Sequence, residues 1–224
     1  MYPASAYVVA HTLLQLPLMV ALALAAVGVP CYVVARFHAP AFATVAGLVA
    51  LSVWVWEAIA QCLSAAFDNP LLGAVVFLGA WFESFLFCGM FLPIRDVIWP
   101  FRALCYVLPF RWSLPPMIHA EFIDAPPFAG ARPCDAATEP ACNARGFFCP
   151  ADPARLQCYG ADGADVLDSM GAQYDVLSSR DELAPAVAIL LAWAVYAKGA
   201  HAFILGHKCG LAAPPAPPAN PDGA

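Results

Sequence analysis

Apolar positions in this chain come in long runs rather than in the alternating or one-faced patterns of a soluble fold. A membrane-spanning helix needs about 20 consecutive apolar residues, each rising about 1.5 Å across a hydrocarbon core of about 30 Å. Four runs meet that length. The first, from about Ala6 to Ala35, carries no formal charge and holds Pro17, which predicts a kink because proline removes a backbone donor. The second, from about Phe42 to Phe67, is interrupted by Glu57 and Gln61 and closes on the turn signal Asp68-Asn69-Pro70. The third, from about Leu71 to Leu92, holds Glu83, and the fourth, from about Leu183 to Leu205, holds Lys198 and His201.

Between the third and fourth runs the pattern changes twice. From Pro93 to Phe122 short apolar pieces alternate with Arg95, Arg102 and Arg111 and are broken by Pro100, Pro109, Pro115 and Pro116. Such pieces predict short re-entrant or interfacial helices, with Trp99, Tyr106 and Trp112 at headgroup depth. From Ile123 to Arg180 the composition is that of a soluble, loop-rich module. The fold class that follows is an all-α membrane protein: about four transmembrane helices, re-entrant helices and a cysteine-bearing loop, which the cysteines and a family resemblance, not the hydrophobic pattern, make extracellular. The domain reading is 1–122 for three spans and the re-entrant helices, 123–182 for the outer loop, 183–208 for the final span and 209–224 for a disordered Pro-rich cytosolic tail.

Composition sharpens this picture. The chain is 62% hydrophobic and 12% charged, with a mean hydropathy of +0.71, against about 25% charged for a soluble domain. The net charge of −6 is concentrated in the stretch Glu121 to Glu182, which holds 11 acidic and 4 basic residues and leaves the rest of the chain close to neutral. An acidic loop excludes a nucleic-acid surface, which needs a basic stripe. The amino end lacks the basic start of a cleavable signal peptide.

Candidate chemistry is sparse. Cys134, Cys142, Cys149 and Cys158 share the outer loop, and their spacing lacks the C-x-x-C knuckle of a zinc site, so it favours disulfides in an oxidising compartment. Four cysteines allow three pairings, all open at this point. Cys31, Cys62, Cys88, Cys105 and Cys209 lie in or beside apolar runs and read as reduced packing residues. A carboxylate at the centre of a membrane helix costs roughly 2.5–3.5 kcal/mol on the insertion scale. Glu57 and Glu83 therefore face either a polar path or a helix-to-helix partner such as a serine, a glutamine or Lys198. Lys198 itself is expected to extend to the nearer interface. Phe82, Phe85 and Leu78 fall on one helical face, which suits either an apolar cavity or lipid. No phosphate-binding loop, dinucleotide fingerprint or H-E-x-x-H motif is present, and no catalytic or metal site is expected.

These residues resemble a family. Phe87-Cys88-Gly89-Met90-Phe91-Leu92-Pro93, Ile98-Trp99-Pro100-Phe101-Arg102, Leu108-Pro109-Phe110-Arg111-Trp112-Ser113 and His119-Ala120-Glu121-Phe122 occur in that order. Cys158-Tyr159-Gly160, Gly163, Val166-Leu167 and a final helix ending near Lys198 or Lys208 complete the series. The series is similar to the last third of an ABC transporter transmembrane domain of the G subfamily, including the pleiotropic drug resistance type. The resemblance implies that the four spans are the third to sixth of six, and that the chain is the C-terminal part of a longer domain. It implies Leu78, Phe82 and Phe85 in a central substrate cavity and Met90 and Phe91 in an apolar plug. Glu83 stands where the family is usually apolar. ATP and magnesium would bind a nucleotide-binding domain absent from this chain, which itself holds no cofactor.

The function that follows is the membrane part of an ATP-driven exporter of hydrophobic or amphipathic compounds or lipids. Its partners would be the nucleotide-binding domain, a second transmembrane half, the bilayer and the substrate, in a multi-pass protein of the plasma membrane. The resemblance places the cysteine loop outside, whereas the count of Lys208 against Arg36, Arg95, Arg102 and Arg111 points the other way. Two rivals remain: a non-transporting membrane subunit whose loop binds a partner, and a proton-coupled carrier using Glu57 or Glu83.

Overall fold

A computed structural model describes residues 4–34, 37, 39–125, 132–135, 137–139, 147–148, 160, 162–178 and 180–211. Helix α1 spans Ala4–Val27 and runs on through a wider π-type segment, Gly28–Val34. It passes Pro17 without ending, so the proline predicted to disturb this span is carried inside it. After a short turn at Ala39–Ala41, α2 spans Phe42–Ala66 and α3 spans Pro70–Leu86. The turn between them follows its local chemistry. The Asn69 side chain accepts from the Leu71 amide at 3.0 Å, and Pro70 sits in the first turn, where no donor is needed.

Beyond α3 the chain doubles back. A single turn at Ile94–Asp96 leads to α4, Arg102–Val107, and α5, Phe110–Phe122. Pro115 and Pro116 were predicted to break this stretch, yet α5 runs through both. Both prolines are buried, and α5 packs against α2 and α7, so burial of its faces offsets the missing backbone bonds. After α5 a two-residue antiparallel pairing joins Arg132–Pro133 (β1) to Phe147–Phe148 (β2). Helix α6, Gly163–Gly171, follows, and α7 spans Leu183–Leu211. The sequence reading placed no helix where α6 lies. The expected tail falls mostly outside the described residues, although α7 itself continues past 209.

Three of these helices are long and apolar enough to cross a membrane: Ala4–Val34, Ala39–Ala66 and Leu183–Lys208. Helix α3, at 17 residues, is shorter than its apolar run suggested, because the chain turns at Gly89 with φ +87°. Only glycine takes that conformation freely. The contiguous helices make this an all-α membrane protein.

Helix α2 is the hub, packing most extensively along α7 and also against α1, α3 and α5. On α7 the buried positions Ala186, Leu190, Ala194, Ala197 and His201 recur every three or four residues and form one seam. Three of them are alanines, which lets the α2 backbone approach closely, as small residues do between membrane helices. Leu48 and Val55 of α2 fill that seam with Leu190 and Ala194. The outer faces of α1 and α3, with Leu13, Leu14, Leu71 and Val75, are left uncovered by the rest of the chain.

Candidate functional site

The seam between α2 and α7 carries the first polar cluster. Glu57 lies nine residues before the end of α2, about 14 Å inside by helix rise. Lys198 Nζ donates to Glu57 Oε2 at 2.6 Å and to Gln61 Oε1 at 2.8 Å. Gln61 Nε2 in turn donates to Gln15 Oε1 of α1 at 3.2 Å and to Glu57 Oε1. Glu57 and Gln61, one helical turn apart, share a face, so one lysine meets both. The network ties three spans together. Lys198 is only 8% exposed, so it does not extend to the interface as its length would allow: a carboxylate at its own depth holds it. A cleft of about 480 Å³ opens beside the cluster, lined by Tyr7, His11, Gln15 and His201 among others.

Glu83 is placed differently. It lies in the last turn of α3, on an uncovered face, and has no ionic partner among the described residues. The early end of α3 at Leu86 leaves it in the helix's last turn rather than near the middle of a longer span.

The second cluster is the turn after α3. A Cβ built on Gly89 would lie 2.3 Å from Val176 Cγ1, so the chain at 176 presses onto the turn itself. Val176 and Leu177 are buried with Ile94 and Cys105, and Phe87, Met90 and Val97 pack on them. Arg95 holds this strap down. Its amide donates to Asp175 Oδ2 at 3.1 Å, and its guanidinium donates to the carbonyls of Ala172 and Gln173 at 3.2 and 3.3 Å. Those carbonyls lie at the end of α6, where the helix leaves acceptors unpaired. Helix α6 is itself docked closely, since a Cβ on Gly163 would collide with the Phe122 carbonyl of α5.

Arg111 lies beneath this cover with its Nε buried and unpartnered, Glu182 at 3.9 Å and its guanidinium 5.1 Å from the Trp112 ring. Burial lowers its pKa, and Glu182 opposes that. Cys88 and Cys105 are fully buried free thiols, and burial pushes both up from the ordinary thiol range. Two bonds missed by sequence reasoning fasten the re-entrant region. The Phe110 amide donates to Ser84 Oγ at 3.1 Å, and Tyr32 Oη donates to Glu121 Oε2 at 3.1 Å.

The residues read as a cavity face do not stay together. Leu78 and Phe82 point away from the chain, 62% and 55% exposed. Phe85 turns inward, stacked on Trp81 at 5.9 Å and 4.5 Å from Phe91. Met90 is partly buried under the strap, while Phe91 is largely uncovered. Cys134 is disulfide-bonded, and Cys142, Cys149 and Cys158 lie outside the described residues. Among the described residues no group of three or more His, Cys, Asp or Glu is arranged to hold a metal ion.

Apolar spans, a short third helix followed by a turn and a polar cluster between spans make up a membrane domain. Residues 1–122 match the ABC-2 type transporter family, and the chain belongs to that family. No curated protein matches the chain. The protein is therefore the transmembrane part of an ABC-type transporter.

Proposed function

We propose that this chain is one membrane half of an ATP-driven exporter of hydrophobic or amphipathic small molecules or lipids, of the G-subfamily or pleiotropic drug resistance type, in the plasma membrane. The observation that carries the reading is the doubled-back chain at Gly89 beneath the Arg95-held strap. It would act as a closed, apolar gate beside Met90, which packs with Val176 and Leu177. Nucleotide-binding domains would supply the energy, and a second half would complete the cavity against the uncovered face of α3 that bears Leu78 and Phe82. The cysteine loop, pinned by disulfides among Cys134, Cys142, Cys149 and Cys158, would roof the exit. ATP binding must favour the state in which the gate opens, because only a difference between two states can drive alternation.

The rival proton-coupled carrier loses support at Glu57, whose charge is already matched by Lys198. Inverted membrane vesicles holding the chain with its nucleotide-binding domain test the reading. ATP-dependent accumulation of a lipophilic fluorescent dye, lost when the nucleotide domain's phosphate-loop lysine is replaced, is the expected result. Accumulation that follows a proton gradient and ignores ATP would sink it.

A further inference from the structure

The cleft of about 480 Å³ beside the Glu57–Lys198 pair is bounded by α1, α2 and α7, the three helices long enough to cross a membrane. Its lining is polar nonetheless. Seven of its ten residues are polar or titratable, among them His11, Gln15, Glu57, Gln61, Ser64 and His201. The mouth lies at one end of the spans, where Tyr7 is in the first turn of α1 and Ser64 in the last turn of α2, both exposed. From Ser64 to Glu57 the cleft descends about 10 Å by helix rise. Beyond that depth the α2–α7 seam is closed, with Val55, Leu190 and Ala194 each 0% exposed.

Several groups on the cleft side have unused bonding capacity. The Tyr7 hydroxyl, the His11 ring and the Gln15 amide nitrogen make no hydrogen bond among the described residues, although Gln15 Oε1 accepts from Gln61. Unlike His201 Nδ1, these atoms are not buried. A polar face of this kind is costly against hydrocarbon, where nothing answers its donors and acceptors. At about 30 Å³ per molecule the volume has room for roughly 15 waters. Lys198 matches the charge of Glu57, so no counter-ion is required.

We infer that this cleft is a water-filled inlet, open on the side of the membrane that carries the Asp68 turn and closed at the Glu57–Lys198 pair. Its ligand is water, with the small hydrophilic solutes dissolved in it, which sets it apart from the apolar α3 face that bears Leu78 and Phe82. Water there completes the bonding of Tyr7, His11 and Gln15 and wets one side of the ion pair, while the other side stays dry. Such an inlet goes beyond the exporter reading, because it is measured without ATP or a transported compound.

The test uses single cysteines in the full chain, in sealed vesicles of either orientation. They are reacted with the membrane-impermeant reagent sulfonatoethyl methanethiosulfonate and mapped by mass spectrometry. Only a thiolate reacts, and hydrocarbon suppresses that form, so a thiol in water should react at least about tenfold faster. Ser64→Cys and Gln15→Cys should show that advantage over Leu14→Cys and Leu18→Cys, which replace exposed positions near the depth of Gln15 on α1. They should show it only from the side on which Asp68→Cys reacts. His11→Cys, one turn nearer the mouth, gives the same reading where Gln15→Cys accumulates poorly. Val55→Cys, beyond the ion pair, should stay unlabelled. Gln15→Cys and His11→Cys reacting as slowly as Leu14→Cys would overturn the inlet and mean that a helix or lipid fills the cleft. Labelling of Val55→Cys as fast as Ser64→Cys, or of Ser64→Cys from the opposite side, would overturn it as well.

Discussion

At the scale of single residues, the Glu57–Lys198 pair carries the clearest energetic consequence. A buried ion pair contributes little net stability, but losing one partner strands a charge and costs about 3–5 kcal/mol. Lys198→Met is therefore expected to lower the unfolding free energy in detergent by about that amount. The double variant Glu57→Gln with Lys198→Met should recover most of it. If the single and double variants were equally unstable, the two groups would not act as a pair. Gly89 is the second decisive residue. Gly89→Ala meets both a left-handed backbone and the Val176 side chain at 2.3 Å. It should cost at least about 1 kcal/mol and raise protease access at residues 172–177. The sequence showed a glycine in a Phe-x-Gly pattern there. Which side chain pressed on it came only from the fold.

At the scale of elements, the strap and the α2–α3 turn respond differently to loss of a charge. Arg95 closes the end of α6 over the turn after α3 with three hydrogen bonds. Arg95→Ala should speed amide hydrogen exchange at Gln173 to Leu177 while leaving α2 and α7 protected. Unchanged exchange would mean that Val176 and Leu177 hold the strap by packing alone. Lys208 Nζ lies 2.7 Å from Asp68 Oδ1 and joins the end of α7 to the α2–α3 turn. The hydrogen bond from Lys208, and then its charge, hold the Asp68 pKa below the usual carboxylate value. A carboxyl depressed by folding contributes its stability above its ordinary pKa, and that contribution fades as pH falls through the folded value. The Asp68 side chain is 97% exposed, so water and salt screen the pair. Melting temperature is accordingly expected to be flat from pH 8 to pH 5, with Lys208→Ala changing it by no more than about 1–2 °C. A clear acid-side drop that Lys208→Ala abolishes would show the pair to be stronger than this.

Across elements, legibility tracked how local the signal was. Asn69-Pro70 announced the start of α3, whereas the cap of α6, where the Asp162 side chain accepts from the Asp165 amide at 2.9 Å, went unread. That second cap was legible but hidden in a loop-like composition. By contrast, Pro115 and Pro116 gave a strong local signal against a helix and were overridden by burial of α5 against α2 and α7.

At the scale of the molecule, the α3 face that bears Leu71, Val75, Leu78 and Phe82 is left uncovered. If a second half closes against it, paired cysteines at Leu78 or Phe82 in neighbouring halves should cross-link in membranes, whereas cysteines at Leu13 or Leu14 on α1 should not. Equal cross-linking at both faces would identify the α3 face as ordinary lipid contact. The chain alone determined the class of this protein, because apolar runs of 20 or more residues have no soluble solution and each must cross or lie in a bilayer. It also located every charge that had to be reconciled with that solvent. Only the tertiary structure decided which partner each charge took: Glu57 met Lys198 across 141 positions, while Glu83 moved to the end of a shortened helix. Span length is a one-dimensional property that hydropathy records. Pairing and the strap over Gly89 depend on which faces meet, and helix rotation within a bundle is set by packing that no local pattern encodes.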